Sequence, residues 1–473
     1  MGQQAISFLG IFVIIGIAYL LSNNKKKINW KMVGICLLLQ IVFAGLVLGT
    51  HWGKASFLWI NGAVQTILGY STKGAEFVFG SLVTDTKSFG FIFAFNVLPT
   101  IIFISALMQI LYYYGIMQFI ISALAKVVMK VMGTSGAETL CACANIFMGH
   151  TESPLMIKPY IEKLTKSELF AVMTGGLATI SAGVLGSYAG MLATGCPSAA
   201  GHIVTACLMS APASLMIAKI MIPETETPET AGDIDKTGDE KIEEEKEEKE
   251  KSKDKKIKNK DKKGDKINKI IKESIKEAKK TDSSPIGYWF SFYRKVKSER
   301  TDSTPIGAAA SGAAVGLQLA LNVGGMLIAF IALIALFDGF LGVLGGFFGR
   351  PDFNLQMIFG VVFSPLSFIL GIPWAECQQS GNILAQHIVL NEFVAYSELG
   401  KIVESLSPRT AIILIYAICG FANISSIAMQ IGGIGSLAPS RKQDIAQLGF
   451  WALIAGALTS YLTAAIAGVI TPM

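Results

Sequence analysis

Two glutamates lie within stretches of the chain that otherwise consist of membrane-type residues. Glu152 is part of "MGHTESPLMIKPYIEKL", residues 148–164, where it follows His150, and Glu392 is part of "LNEFVAY". An ionised side chain at the centre of a bilayer costs roughly 2.5–3.5 kcal/mol on insertion scales, so such residues are usually functional. The structural alternative is that the two carboxylates bind helix ends or a lysine such as Lys158. Their positions favour a polar site within the membrane.

The chain as a whole has the composition of an all-α polytopic membrane protein. It has 473 residues, 52% of them hydrophobic, and a mean hydropathy of +0.52. Its apolar runs are long enough to cross a bilayer, which takes about 20 residues in a helix. Seven cysteines lie almost wholly in these runs without a metal-ligand spacing, so we interpret them as packed thiols. The sequence contains no HExxH and no GxSxG motif, which argues against an intramembrane enzyme.

Charge is concentrated in one tract that divides the chain. Residues 231–300 contain 22 of the 40 Lys and Arg and 17 of the 34 Asp and Glu. A sequence such as "KIEEEKEEKEKSKDKKIKNK" cannot bury a core, so we predict a disordered cytoplasmic insertion over residues 223–305. The glutamates among its lysines and the lack of aromatic residues in its Lys-rich part argue against nucleic-acid binding.

About eight membrane-spanning helices are predicted around this insertion. They cover residues 5–21, 33–50, 91–112, 167–192, 200–221, 309–337, 409–436 and 444–469. Shorter or amphipathic apolar pieces fill the gaps, at residues 55–70, 113–132, 135–163, 352–371 and 374–402. Basic residues in "NNKKKINWK", in the charged tract and in "PSRKQD" place these loops inside the cell and both termini outside. The sequence therefore predicts a multi-pass protein of the cell membrane.

Two short motifs indicate an internal repeat. "GGLATIS" at residues 175–181 matches "CGFANIS" at residues 419–425 in four positions, and each follows a polar kink that contains one glutamate. Three crossings in each half make the second half inverted relative to the first. Inverted repeats with broken helices and half-helix ends near the membrane midplane are the design of secondary transporters.

The repeat divides the chain into domains, and the first kink predicts a re-entrant hairpin. We expect scaffold helices over residues 1–90, a first repeat with hairpin 1 over 91–222, and a second repeat with hairpin 2 over 306–473. Pro154 fits only the first turn of a helix, with Ser153 or Thr151 as its N-cap. Unpaired backbone groups at such a hairpin tip are tolerated where they line a wet cavity.

Three segments resemble a known family. "GHTESPL", "NEFVAY" and "CGFANISS" resemble the signature segments of the concentrative nucleoside transporter family, and the resemblance covers nearly the whole chain except the charged tract. It implies a nucleoside substrate, a homotrimer surrounded by lipid, and one binding site in each protomer between two hairpins and two unwound helices.

The resemblance also implies roles for individual residues. Nucleobase contacts fall on the first hairpin tip and on the helix beside it, at Gly149, His150, Thr151, Glu152 and Val184. Ribose contacts fall on Glu392, Asn423 and Ser426, with Phe421 beside them. The ligands of a coupling sodium ion fall on the side chains of Asn145 and Thr179 and on the backbone carbonyls of Met148 and Ile180.

The chemistry of these residue types agrees with the implied roles. A carboxylate such as Glu392 accepts two hydroxyl donors, and Asn423 and Ser426 complete a set for a sugar diol. His150 stands where many members of the family have Gln, and His387 stands where many have Lys, so base selectivity and local charge depart from the usual pattern. Gly149 is the residue that accompanies acceptance of purines in the family.

The coupling ion has two candidates at this stage. Neutral oxygen side chains facing carbonyls suit sodium, whereas a proton would need a titratable carrier, for which His150, Glu152 and His387 are available. A proton-coupled symporter and, less favoured, a passive nucleoside channel therefore remain as alternatives to a sodium-coupled symporter.

Overall fold

The protein is helical throughout the part of the chain that the structure describes. The computed structural model describes residues 2–85, 88, 92–230, 302, 304–347, 349–350 and 353–472. The prediction of disorder for the charged insertion concerns mainly residues 231–301, which lie outside the described residues.

The first half of the chain contains nine helices longer than two turns among its described residues. They are α1 (Gly2–Leu20), α2 (Trp30–Ala44), α3 (His51–Phe79), α4 (Leu98–Tyr113), α5 (Ile116–Met132), α6 (Gly136–Ala144), α7 (Lys166–Leu177), α8 (Ala182–Met191) and α9 (Ala199–Met221). A 3-10 helix, Ser153–Lys163, follows α6, and the two together form hairpin 1, residues 136–163. Between α7 and α8 the helix is unwound over residues 178–181, which we name break 1.

The second half repeats the order of elements that the first half has from α4 onwards. Its helices are α10 (Pro305–Gly346), α11 (Leu355–Ile369), α12 (Trp374–Val389), α13 (Glu392–Ile402), α14 (Pro408–Ala417), α15 (Ile424–Leu437) and α16 (Lys442–Ile470). α11 and α12 meet at an angle of 114°. α12 and α13 form hairpin 2, residues 374–402, and residues 418–423 between α14 and α15 form break 2.

Burial separates an outer layer of helices from a core. In the most apolar window of α10 only 6% of the residues are buried, whereas the value is 83% for the α7–α8 pair, for α9 and for α16. The described residues contain seven helices apolar and long enough to span a membrane, or eight if the bent α11–α12 pair is one span. The prediction of about eight spans is confirmed, and the broken helices and the two hairpins lie next to the buried core helices.

Capping residues explain where the helices of hairpin 1 and break 1 begin. Ser135 and Glu138 form a capping box at α6, and Thr165 and Glu168 form another at α7. Each box provides hydrogen-bond partners for backbone N–H groups that a helix cannot satisfy within itself. These local signals fix the start of both helices in the sequence.

The predicted interruption of the span 409–436 is confirmed: it consists of two helices separated by break 2, where Gly420 and the N-cap Asn423 interrupt it. Two other predicted boundaries are wrong. The predicted span 309–337 is part of the 42-residue α10, and the piece at 55–70 is part of the 29-residue α3. Apolar composition locates such helices, but it does not show where they end.

The second arm of hairpin 1 also differs from the prediction. It is a 3-10 helix that is kinked at Ile157 and contains Pro159. Glu152 occupies the N-cap position without a side-chain capping bond, whereas Ser153 Oγ donates to Asn145 Oδ1 at 2.5 Å. The expected cap by Ser153 or Thr151 is therefore wrong, because the Ser153 hydroxyl binds the preceding arm of the same hairpin.

Candidate functional site

The two breaks lie against each other at the centre of the molecule. A Cβ atom on Gly420 would lie 2.8 Å from the carbonyl oxygen of Leu177 and 3.2 Å from the carbonyl carbon of Ala178. Such distances leave no room for a side chain, so glycine allows the backbones of break 1 and break 2 to approach. Unwound backbone from both halves of the chain is thus brought together.

The turn of hairpin 1 packs onto break 1. Phe147 accepts a backbone hydrogen bond from Ala182 N at 3.2 Å, at the point where α8 begins. On the helix before the break, a Cβ atom on Gly176 would lie 2.8 Å from Cβ of His150. The hairpin tip and the broken helix therefore form one continuous surface.

The predicted ion ligands lie at this junction. Asn145 ends α6, and its Nδ2 would lie 3.2 Å from a Cβ on Gly175. Thr179 Oγ1 donates to the carbonyl of the same Gly175 at 3.0 Å. Asn145 and Thr179 thus meet around one residue, and Met148 and Ile180 lie in the adjoining turn and break.

One buried atom of this group has no hydrogen-bond partner. Asn145 is fully buried and its Nδ2 is unpaired among the described residues, while its Oδ1 accepts from Ser153. Amide oxygen and nitrogen exchange places on a half-turn of the side chain, so the unpaired position also accommodates the acceptor oxygen. The arrangement has the neutral oxygen donors that a hard monovalent cation requires.

The predicted sugar-binding residues form a hydrogen-bonded cluster. Glu392 is buried at the start of α13, and its Oε2 accepts from Asn423 Nδ2 at 2.9 Å. Asn423 is the N-cap of α15, where its Oδ1 accepts from Ser426 N at 2.9 Å and from Ser426 Oγ at 3.1 Å. The three residues are thus fixed in one constellation by hairpin 2 and break 2.

One of the predicted base-binding residues contacts break 2 at Phe421. The His150 ring makes an edge contact with the Phe421 ring, with centroids 4.9 Å apart. His150 is buried, and neither ring nitrogen has a hydrogen-bond partner in the part of the chain that the structure describes. A buried imidazole without partners offers a donor and an acceptor in one plane.

The remaining tip residues are more open. Thr151 and Glu152 are exposed, and Glu152 Oε2 accepts weakly from Gly149 N at 3.4 Å. Val184 is buried in the first turn of α8, three residues after the N-cap Ser181. Glu152 therefore differs from Glu392, which has side-chain partners on both carboxylate oxygens.

Three further polar residues belong to this region and were not predicted as ligand contacts. Tyr188 donates to Glu392 Oε1 at 3.1 Å, Gln430 donates to the Met173 carbonyl at 2.9 Å, and His387 Nε2 lies 2.7 Å from the Gly420 carbonyl. Tyr188 and Gln430 stand among apolar and small residues of ordinary helices, so no local sequence signal marked them.

Family models match most of the chain. The model described as Na+ dependent nucleoside transporter N-terminus matches residues 9–82, and the corresponding C-terminus model matches residues 202–281 and 268–468. A model described as Nucleoside recognition matches residues 94–195.

Whole-length relatives agree with these matches. The chain is 40% identical to an uncharacterized transporter of Haemophilus influenzae, over 98% of this chain and 96% of the relative. It is 35% identical to the nucleoside permease NupC of Helicobacter pylori, again over 98% and 96%. The solved structure of CNTnw in an inward-facing substrate-bound state is similar with a TM-score of 0.80 and 37% identity, covering 98% of this chain and 97% of the other.

The fold, the family models and the whole-length relatives lead to one assignment. The relatives are transporters and not enzymes, and the described helices include several that can span the cell membrane. This chain is therefore a membrane protein of the concentrative nucleoside transporter family.

Proposed function

We propose that the protein is a sodium-coupled symporter that imports nucleosides across the cell membrane by alternating access. The observation that carries the proposal is the presence of two unlike polar groups at break 2. Glu392 and Asn423 form a buried hydrogen-bonded cluster there, and the His150 imidazole, which has no hydrogen-bond partner among the described residues, contacts Phe421. A nucleoside has the matching pair of ends, a diol and a flat base with donors and acceptors at its edge.

The sugar end of the ligand is proposed to bind Glu392, Asn423 and Ser426. A carboxylate has about four acceptor sites, and the side chains of Tyr188 and Asn423 occupy two of those on Glu392. Acceptor capacity therefore remains for sugar hydroxyl groups. Hydrogen bonds to a charged group contribute roughly 1.5–3 kcal/mol each, enough to favour ribosides strongly.

The base end is proposed to bind the tip of hairpin 1. His150 offers an unpaired donor and acceptor, and the exposed Thr151 and Glu152 add further polar groups at the same tip. Gly149, directly before His150, has no side chain that could obstruct the base. Val184 and Phe421 supply apolar contacts. Purine nucleosides should accordingly be accepted at least as well as uridine.

Sodium is the proposed coupling ion. The support is the buried Nδ2 of Asn145, which has no hydrogen-bond partner among the described residues, beside Thr179 and the adjoining carbonyls of Met148 and Ile180. Their oxygens are neutral and hard, and the matching family models are described as Na+ dependent. Sodium at this junction would link hairpin 1 to break 1, so ion binding would precede or accompany closure on the base.

Proton coupling is the alternative. His387 is fully buried beside break 2, where its Nε2 contacts the Gly420 carbonyl and its Nδ1 has no hydrogen-bond partner among the described residues. A titratable ring at that place is a possible carrier for a proton in a symporter that does not use sodium.

Uptake into proteoliposomes distinguishes these mechanisms. An inward sodium gradient at equal pH on both sides should accumulate uridine above its outside concentration, and collapse of the gradient should release it. Accumulation driven by external acid in sodium-free buffer would establish proton coupling instead. Equilibration without accumulation under either gradient would indicate a passive channel.

The larger architecture is proposed on the same basis. We infer that residues 91–222 and 306–473 are inverted repeats, that both hairpins are re-entrant, and that residues 1–90 belong to the scaffold. The largely unburied α10 supplies a surface for lipid and for two further copies in a homotrimer. Crosslinking in native membranes followed by mass measurement tests the trimer.

A further inference from the structure

Tyr188 connects the first half of the chain to the carboxylate proposed to bind the sugar. It lies on α8, directly after break 1, and is fully buried. Its hydroxyl donates to Oε1 of Glu392 at 3.1 Å, across 204 residues of sequence. Since Asn423 donates to Oε2, each oxygen of the carboxylate is held by a different broken helix.

The Tyr188 ring is held by the same helix that carries Glu392. It stacks on Tyr396, with centroids 4.4 Å apart and planes 9° apart, and makes an edge contact with Phe393 at 4.7 Å. Glu392, Phe393 and Tyr396 all belong to α13. The packing fixes the direction of the hydroxyl, so its hydrogen bond selects one orientation of the carboxylate.

The orientation of the carboxylate decides where its remaining lone pairs point. The last torsion of a glutamate side chain has a broad energy minimum, so the carboxylate plane is not fixed by the side chain itself. A donor on each oxygen restricts that rotation before the ligand arrives. Preorganisation of this kind improves affinity because less freedom is lost on binding.

We propose that Tyr188 is a positioning residue for sugar recognition, which directs the free acceptor sites of Glu392 towards the ligand hydroxyl groups. This inference rests on the proposed function, in which Glu392 binds the sugar. Tyr188 acts through Glu392, so its hydroxyl should matter for ligands that carry ribose hydroxyls and much less for ligands without them.

Tyr188→Phe removes the hydroxyl and keeps the stacked ring, and Tyr396→Phe is its matched control. Tyr396 is equally buried and belongs to the same stack, but its hydroxyl donates to the Ile415 carbonyl at 3.1 Å. Dissociation constants of uridine and 2′,3′-dideoxyuridine are measured by calorimetry on purified protein in saturating sodium, and maximal uridine uptake is measured in proteoliposomes.

The expected result is selective. Tyr188→Phe should weaken uridine binding about tenfold, ~1.4 kcal/mol, with dideoxyuridine binding and the maximal uptake rate changed less than about twofold. Tyr396→Phe should leave the ratio of the two dissociation constants unchanged. Equal weakening of both ligands by Tyr188→Phe, no change in either, or failure of this variant to fold would overturn the inference.

Glu392→Gln separates this inference from the function on which it rests. If Glu392→Gln weakens both ligands equally, the proposed sugar site is wrong. If Glu392→Gln is selective for uridine and Tyr188→Phe is not, only the role of Tyr188 is wrong. In a Glu392→Gln background the further change Tyr188→Phe should have little added effect on uridine, because the two residues act as one unit.

Discussion

Hairpin 1 and hairpin 2 occupy equivalent places in the two halves of the chain, but they are built differently. Hairpin 2 consists of two α-helices, and its Glu392 is buried with side-chain partners on both carboxylate oxygens. Hairpin 1 has an irregular turn and a kinked 3-10 arm, and its Glu152 is exposed. The difference fits the proposed ligand: the sugar varies little among nucleosides and would suit a rigid site, whereas the base varies and would suit an adaptable tip.

The end of each hairpin that lies away from its tip, in contrast, is bound to the adjoining broken helix in a similar way. In the first half, Ser135, the N-cap residue directly before hairpin 1, donates to Glu168 of α7 at 2.5 Å. In the second half the residue types are exchanged, and Ser407, the N-cap of α14, donates to Glu376 of the hairpin at 2.9 Å. This attachment is common to both halves, whereas the tips and the second arms of the two hairpins differ.

The cations near these attachments differ again. Lys219 of α9 forms ion pairs with Glu138 at 2.7 Å and Glu224 at 3.1 Å beside hairpin 1. Arg409 of α14 donates to backbone carbonyls, including that of Gly371 at 3.2 Å. The first half thus uses carboxylates of hairpin 1 and of the segment after α9, and the second half uses backbone carbonyls.

The largest expected effect tests whether the ion binds between hairpin 1 and break 1. Asn145→Ala or Thr179→Ala should lower sodium-driven uptake at least 100-fold, because each removes an oxygen of the proposed cage. The measurement is uridine uptake against sodium concentration. Thr459→Ala is the control, since Thr459 is equally buried and makes the same local bond, to the Ala455 carbonyl at 2.7 Å, in α16. Unchanged sodium dependence in the Asn145 and Thr179 variants would remove the cage from this account.

A smaller effect tests whether His150 contacts the base of the ligand. His150→Gln should change the ratio of adenosine to uridine dissociation constants about fivefold, because an amide presents its donor and acceptor in a different geometry. The preference for ribosides over dideoxyribosides should not change. His202→Gln is a matched control, since His202 is another buried histidine, in edge contact with Phe57 at 4.8 Å. A similar change of base preference in both variants would contradict a direct contact of His150.

The smallest effects concern the segment that follows α9. Thr230 is buried and accepts from Gly136 N and Ala137 N at 3.1 Å each, through its carbonyl and its hydroxyl, at the start of hairpin 1. Thr230→Ala should lower the thermal midpoint by about 2 °C, because loss of a helix cap costs about 1 kcal/mol. Thr225→Ala, at an exposed residue of the same segment, should lower it less.

Deletion of residues 235–285 is the companion experiment. It spares Thr230 and removes most of the charged tract, so uptake should stay within about twofold of the full chain. Loss of transport by a folded deletion variant would show that the tract takes part in the transport cycle.

Much of the fold and of the candidate site was predictable because local signals agreed with the tertiary structure. The repeated "GGLATIS" and "CGFANIS" motifs mark both breaks, where small residues and an asparagine N-cap interrupt the helices. The proposed sugar-binding residues Glu392, Asn423 and Ser426 came instead from the resemblance to the transporter family, and hydrogen bonds between hairpin 2 and break 2 join them in the structure.

Other features depend on contacts between distant parts of the chain. The sequence around Tyr188 is the same as that around an ordinary packed aromatic residue. Only its hydrogen bond to Glu392, which is distant in the sequence, indicates a role. The cap that Thr230 provides to Ala137 joins residues 93 apart. The ends of the 42-residue α10 were not predicted, because its uniformly apolar sequence contains no local signal for where the helix stops.

Hairpin 2 is proposed to bind the sugar and hairpin 1 to bind the base. The most direct measurement compares Glu392→Gln with Glu152→Gln by their dissociation constants for uridine, 2′,3′-dideoxyuridine and adenosine. Glu392→Gln should weaken the binding of uridine and adenosine about 100-fold, ~2.7 kcal/mol. Both should then bind no more tightly than dideoxyuridine. Glu152→Gln should change the ratio of the adenosine and uridine dissociation constants. Uridine should still bind more tightly than dideoxyuridine to this variant. If either variant changes all three dissociation constants by one common factor, the division of the ligand between the two hairpins is wrong.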